Sequence, residues 1–387
     1  MTLAALANIA SLSVDFVTGF LTVEPVGAQP LAIRGPVGGD FGAVSSAKFN
    51  VRASRAEIVV AGATVTIDIG DATSPVPDRV VYLDQNHWVG FARWRAQSPH
   101  RNPSFDPFFA LLAEATRNGD AVVPLSAAHL TETSRRGGSS RVDLASSMLV
   151  LSRGWQLRDA SALRRAELRG FFGGSPLVRG DVIGLEPYIA LDGIKRPKPL
   201  VGFSPELDDL ILRLSWATAQ AAILVDKDPQ PAGTDIAQRW AESFAALAQH
   251  IRGNSRAKAH LRPLTRTRFI TDLGNDLPAA AAEAGLTPED FGTWMNDEAE
   301  RSIAGAPGLA RIRELFHLRL ASADEKWEAN DLYDVTYLSY AAAYCDLVVG
   351  EKKTINHLRR IRPQVPAGAV LHHRPDEALP DLKALLS

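Results

Sequence analysis

The sequence predicts a mixed α/β protein in which an α/β domain is split by a mainly helical insertion and preceded by a small β-rich module. Three observations carry this reading. Apolar and polar residues alternate from Ser13 to Ile69, as in Lys48-Phe49-Asn50-Val51-Arg52, which is the period of half-buried strands. From Val80 the pattern changes to short apolar runs followed by helical spacing. A second strand–helix alternation closes the chain after a long helical stretch, from Leu332 to Leu371.

Taken in order, residues 1–77 form the β-rich module, with further alternation in Ala63-Thr64-Val65-Thr66-Ile67-Asp68-Ile69 and a proline-marked linker over Ala72 to Asp78. Proline and the residue before it both resist continued regular structure. Residues 78–171 form the first half of the α/β domain. Val80-Val81-Tyr82-Leu83 is a buried strand ending at Asp84, and a helix through Trp88, Phe91 and Arg95 follows it. Phe105 to Thr116 is a second helix, Ala121-Val122-Val123 a short strand, and Ser126 the N-cap of a helix carrying His129 and Glu132, because a serine oxygen there accepts from the first turn's N–H groups. Helical spacing continues from Arg141 to about Phe171. Residues 172–323 are the insertion, with Gly- and Pro-rich loops from Phe172 to Pro205 and helices over Leu207 to Leu224, Thr234 to Ile251 and several segments up to Leu320. Residues 324–387 complete the α/β domain: a helix over Leu332 to Tyr344, a strand at Asp346 to Val349, a helix over Glu351 to Arg360 and a strand at Ala369 to Leu371.

Composition narrows the class. The chain of 387 residues is long enough for two or three folding units, and 46% hydrophobic with 22% charged residues is ordinary globular composition. One cysteine, Cys345, allows no internal disulfide, which fits a reducing cytoplasm. The apolar N-terminus lacks a basic leader region and contains Asp15, and no run reaches a membrane span. A net charge of -2 argues against coating nucleic acid over the whole surface. Six basic residues from Arg252 to Arg268, followed by an acidic stretch from Asp272 to Glu300, read either as a nucleic-acid track or as a paired face. Walker-type, dinucleotide-binding and His-Glu-x-x-His motifs are absent from the sequence.

The chemistry concentrates in acids. Asp84 stands just past a strand end, where open α/β sheets place functional groups, although Asp also terminates strands and caps helices. Glu132 lies on the helix after the second strand. In Asn330-Asp331-Leu332-Tyr333-Asp334 the two acids are three apart and share a helix face; Asp331 also suits a helix first turn. Asp346 opens a strand and Glu351 follows its end. Converging carboxylates repel unless a cation compensates, and oxygen-only ligation points to Mg²⁺ or Mn²⁺. Such a site suits phosphodiester hydrolysis. Arg135, Arg136 and Lys352 flank the acids as candidate phosphate contacts. His87 and His129 read as structural, and Trp88, Phe91 and Trp94 as packing.

Val-Val-Tyr-Leu-Asp84-Gln-Asn86, the Glu132 helix, and Asn-Asp331-Leu-Tyr-Asp334 leading to Asp346-Leu-Val-Val-Gly-Glu351 together resemble the PIN-domain family. The resemblance covers Asp78 to about Ala145 and Asp324 to about Arg360. It implies a three-layer α/β/α fold with a parallel sheet and a Mg²⁺- or Mn²⁺-dependent ribonuclease, such as a toxin or defence effector. Asp84 would be the first acid, Glu132 the second, Asp331 or Asp334 the third, and either Glu351 or Asp346 the fourth. RNA is the implied partner, DNA the next choice; an inhibitory protein and a homo-oligomer also fit the family. Two other readings stand beside it. One is a non-catalytic PIN-like scaffold whose insertion binds protein, motivated by Gly350-Glu351-Lys352 in place of the usual fourth-acid context. The other is a haloacid-dehalogenase-type phosphatase, weakened because Asn86 stands where its second Asp belongs.

Overall fold

The computed structural model describes residues 9–34, 44–60, 62–69, 75–186, 189–191, 205–225, 234–322 and 324–387. The first residues of the expected N-terminal segment, the start of the 72–78 linker and part of the 172–205 loop region lie outside this set. The chain is mixed α/β and divides into two units: 1–78, 88–159 and 183–232 in the first, and 79–87, 160–182 and 233–387 in the second.

In the first unit, β1 (Ile9–Asp15), β2 (Phe20–Pro25), β3 (Leu31–Arg34), β4 (Val44–Asn50), β5 (Arg55–Val60) and β6 (Ala63–Asp68) form a sheet in the order β3-β2-β1-β4-β5-β6. All its pairings are antiparallel. The alternation that predicts the strands becomes an inward row of Leu12, Val14, Phe49, Ile58, Val65 and Ile67, each at most 4% exposed, while Lys48 and Glu57 face out. Helices Ser139–Ser152 and Pro205–Val225 pack on this sheet. Arg141, fully buried, holds them together by donating from Nε to the Leu224 carbonyl at 2.8 Å. That bond satisfies one of the acceptors left open at a helix C-terminus.

The helical stretch expected from Arg141 to about Phe171 is formed as two helices rather than one. The first stops at Ser152, because Arg153 and Gly154 both take positive φ values of 51° and 93°, and the chain continues as a short strand (Gln156–Leu157) before a new helix at Ala160–Gly170. The two-residue strands β8 (Gln156–Leu157) and β9 (Ile183–Gly184) pair with each other, after β7 (Val81–Leu83) in chain order. A Cβ on Gly154 would collide with the Asp68 carbonyl oxygen. Gly154→Ala is therefore expected to destabilise by about 2–4 kcal/mol, from left-handed strain and an immovable backbone neighbour; denaturant unfolding measures it, and a change under 0.5 kcal/mol would contradict this packing. The expected strand Ala121–Val123 is buried but carries at most isolated bridge pairing, with neighbouring Leu125 bridging in parallel to Gln156.

In the second unit β7, β10 (Leu347–Val349) and β11 (Val370–His372) form a parallel sheet in the order β11-β10-β7. The two ends of the acidic constellation thus meet in one sheet, with Leu347, Val348 and Val349 beside Val81, Tyr82 and Leu83. These strands are wholly buried apart from Val370 and His372, as expected of parallel strands read as apolar runs. Helix Ala329–Tyr344 enters β10, and helix Lys352–Ile361 leaves it. The unit also holds the helices Ala160–Gly170, Thr234–Gly253 through Pro307–Ala321, and Pro375–Leu386. No helix among the described residues is long and apolar enough to cross a membrane.

Among the described residues, three of the six residues of the basic run form ion pairs within the chain. Arg266 reaches Glu300 at 2.8 Å, Arg268 reaches Asp272 at 2.8 Å, and Arg262 meets Glu314.

Candidate functional site

Parallel register decides which acids meet. Leu83 lies beside Val349, so the residues after each strand, Asp84 and the Gly350-Glu351 pair, emerge at the same sheet edge. The Asp84 amide donates to the Val349 carbonyl at 2.9 Å, continuing the ladder one residue further. Its carboxylate accepts from the Gln85 amide at 2.7 Å and from the Glu351 amide. Asp84 is 8% exposed. Burial pushes its pKa up to about 6, against the lowering by those amides, and the nearby Glu351 charge pushes the same way.

Glu351 is half-buried and begins the Lys352–Ile361 helix, where Thr354 donates to its carboxylate at 3.2 Å. Lys352, the next residue, is exposed at that helix's first turn. A helix N-terminus there directs N–H groups and positive dipole toward any anion. His87 sits under the same edge, its Nε2 3.4 Å from the Gly350 carbonyl. Burial drives its pKa down to about 4, with the neighbouring His373 adding to the shift, so its imidazole is neutral at pH 7.

Asp331 and Asp334 occupy the first turns of the Ala329–Tyr344 helix, both half-buried. Asp331 has a structural task. Its carboxylate accepts from the Glu328 amide at 2.6 Å, closing a capping box, and from Arg319 at 2.7 Å. Arg319 is 3% exposed, lies 4.2 Å above the Trp327 ring centroid, and also meets Glu325 at 2.8 Å; Lys353 meets the same Glu325 oxygen at 2.8 Å. Two cations of the chain thus balance Asp331 and Glu325. The signal for this pairing was faint: nothing in the spacing of Arg319 and Asp331 marks them as partners.

Asp346 corrects an expectation. It precedes β10 and pairs at the level of Val80, so it stands at the opposite sheet edge from Asp84, about 13 Å away at 3.3 Å per residue. There it accepts from the Val80 amide at 2.8 Å and from Arg179 at 2.6 Å. It ties strand starts together and shares no ion with Asp84.

Glu132 belongs to the first unit, half-buried on the helix Ala127–Ser134, with Arg135 as that helix's half-buried C-cap and Arg136 exposed beyond it. His129 of the same helix is buried, its Nδ1 accepting from the Ser126 amide at 3.0 Å. Its ring packs edge-on to Trp88 at 5.8 Å. Trp88 and Phe91 are buried and join Trp94 and Phe109 in an aromatic cluster, the packing role the sequence suggests.

Among the described residues no group of three or more His, Cys, Asp or Glu side chains is gathered to hold a metal ion. The Asp84–Glu351 edge fits a different mode. Mg²⁺ commonly keeps several waters and is held by one or two carboxylates plus substrate phosphate, and two carboxylates, Asp84 and Glu351, are what this strand edge offers. Comparison with protein-family models, curated proteins and solved structures finds no match for this chain.

Proposed function

We propose that the chain is a divalent-metal-dependent endoribonuclease of PIN-like, three-layer α/β/α type. The observation that supports this is the convergence of Asp84 and Glu351 at the carboxyl edge of the parallel sheet, from chain positions 267 residues apart. Asp84 and Glu351 would hold Mg²⁺ or Mn²⁺, with Asp334 of the Ala329–Tyr344 helix as the candidate third acid. The ion supplies Lewis acidity toward a phosphodiester and lowers the pKa of water. The protein's own contribution is to exclude solvent around Asp84, to fix its carboxylate with two amides, and to offer Lys352 and the first N–H groups of its helix to a phosphate. Glu132, Arg135 and Arg136 belong to the first unit and stay outside this assignment.

The test is incubation of the full chain with single-stranded and structured RNA. Cleavage with Mn²⁺ or Mg²⁺, its loss in EDTA and its return on adding metal are expected. A parallel DNA substrate ranks the two nucleic acids.

A second reading, the non-catalytic PIN-like scaffold, draws on one specific observation: Arg319 and Lys353 already supply positive charge to Asp331 and Glu325. It predicts no calorimetric Mn²⁺ binding and no cleavage of any substrate in the panel.

A further inference from the structure

The second unit contains a cavity of about 340 Å³ between its helices, whose lining includes none of Asp84, Glu351 or Lys352. Six aromatic rings form much of its wall: Trp240, Phe269, Phe316, Tyr333, Tyr337 and Tyr340. Trp240 and Phe269 each lie about 6 Å, 6.0 and 6.1 Å, from the Phe316 ring. Ile236, another lining residue, is 69% exposed, so the cavity opens to solvent. Binding sites of this size, apolar with a few polar groups, are typical between the helices of a bundle.

Two charged side chains line it. Arg164 donates to the same Asp276 oxygen from Nε, at 2.8 Å, and from Nη2; of its five N–H groups, those on Nη1 are not used by that pair. Asp272 meets Arg268 through Oδ1 at 2.8 Å, while its Oδ2 is buried without a hydrogen-bond partner. A buried carboxylate oxygen lacking a donor is costly. Burial pushes the Asp272 pKa up to about 6, against the lowering by Arg268 and Arg164.

Flat rings suit these walls, since bases stack on aromatic faces with about 1–3 kcal/mol each. A carboxylate demands N–H donors and a guanidinium demands acceptors, and guanine carries both: adjacent N–H groups on one edge and the O6/N7 acceptors that arginine reads. We infer that this cavity binds a guanine-type nucleoside, stacked on the aromatic wall with its N–H edge toward Asp272 and its acceptor edge toward Arg164. The helix Ala329–Tyr344 contributes Tyr333, Thr336, Tyr337 and Tyr340 to the wall, and Tyr333 stands between Asp331 and Asp334. Occupancy therefore bears on the helix that carries those acids.

The inference is independent of the nuclease proposal, and its test omits divalent metal. Guanosine, adenosine and toluene are titrated into the full-length protein by calorimetry. Expected are saturable 1:1 guanosine binding, at least tenfold weaker adenosine binding, at least tenfold weakening in Asp272→Asn, and loss of binding in Thr336→Trp, which fills the cavity. Melting curves of both variants establish that they fold; should Thr336→Trp fail to fold, Asp272→Asn decides alone. Absence of saturable guanosine binding, binding of toluene only, or an affinity unchanged in Asp272→Asn overturns the inference.

Discussion

Asp84→Asn is expected to abolish metal-dependent RNA cleavage and, in the same preparation, to raise the stability of the metal-free protein at neutral pH. The first effect follows from removing one of two carboxylates at the strand edge; several kcal/mol of transition-state stabilisation corresponds to a loss of about a thousandfold or more. The second follows from the pKa of Asp84, about 6 when folded against an ordinary 3.8. A folded-state value raised above the unfolded one gives stability that is fully present below pH 4 and lost as pH rises through about 6. Above that, the folded protein carries a buried charge at a cost of roughly 3 kcal/mol, which asparagine does not incur. Metal-free melting curves should therefore favour the variant at pH 7.5 and converge with wild type near pH 4. Added Mn²⁺ should raise the wild-type melting temperature at pH 7.5 and leave the variant unmoved. Retained cleavage by Asp84→Asn would remove the nuclease proposal, and a stability difference independent of pH would remove the electrostatic account.

The largest stability effect is expected at Glu167, far from any of these acids in the chain. This 5% exposed side chain on the Ala160–Gly170 helix accepts from the Gly308 and Leu309 amides, both at 2.8 Å, and from the Tyr344 hydroxyl at 2.7 Å. It caps the Pro307–Ala321 helix, which has no side-chain cap of its own, and complements that helix's dipole. Burial, the largest influence, raises its pKa, while the three donors and Arg311 pull it down. Glu167→Ala strands two amides and a hydroxyl, and should cost about 3–5 kcal/mol, a large part of a typical domain's total stability. Glu167→Gln keeps one acceptor oxygen but turns an NH₂ toward a donor, so it should recover only part of the loss. Denaturant midpoints measure both; an alanine variant within 1 kcal/mol of wild type would show that the cap is dispensable.

Local pattern was enough to locate most elements. The alternation around Phe49 and Val65 marks the antiparallel sheet, and the apolar triplets at Val81 and Leu347 mark parallel strands whose register sets Asp84 beside Glu351. What the pattern hides is pairing at a distance and backbone handedness. Helical spacing runs straight through Arg153 and Gly154, and only their positive φ values, which no periodicity encodes, break the helix. Asp346 reads as an acid at a strand, and nothing local reveals that Arg179 and the Val80 amide claim it at the far edge. Asp331 is legible as a first-turn acid, yet its Arg319 partner depends on how the Pro307–Ala321 helix is laid down. Glu167 carried no signal at all as a cap, because its three donors come from 141 to 177 residues downstream.

The strand Val81–Leu83 finds its neighbour only at Leu347–Val349. On a ribosome adding about 5–20 residues per second, some tens of seconds separate the synthesis of the two. Throughout that interval the early strand has no partner to zip against, and long-range parallel pairing of this kind is slow to nucleate even afterwards. A nascent or prematurely terminated chain therefore holds Asp84 without Glu351, and whatever reactivity the pair supports is withheld until the later strand and Glu351 have been made.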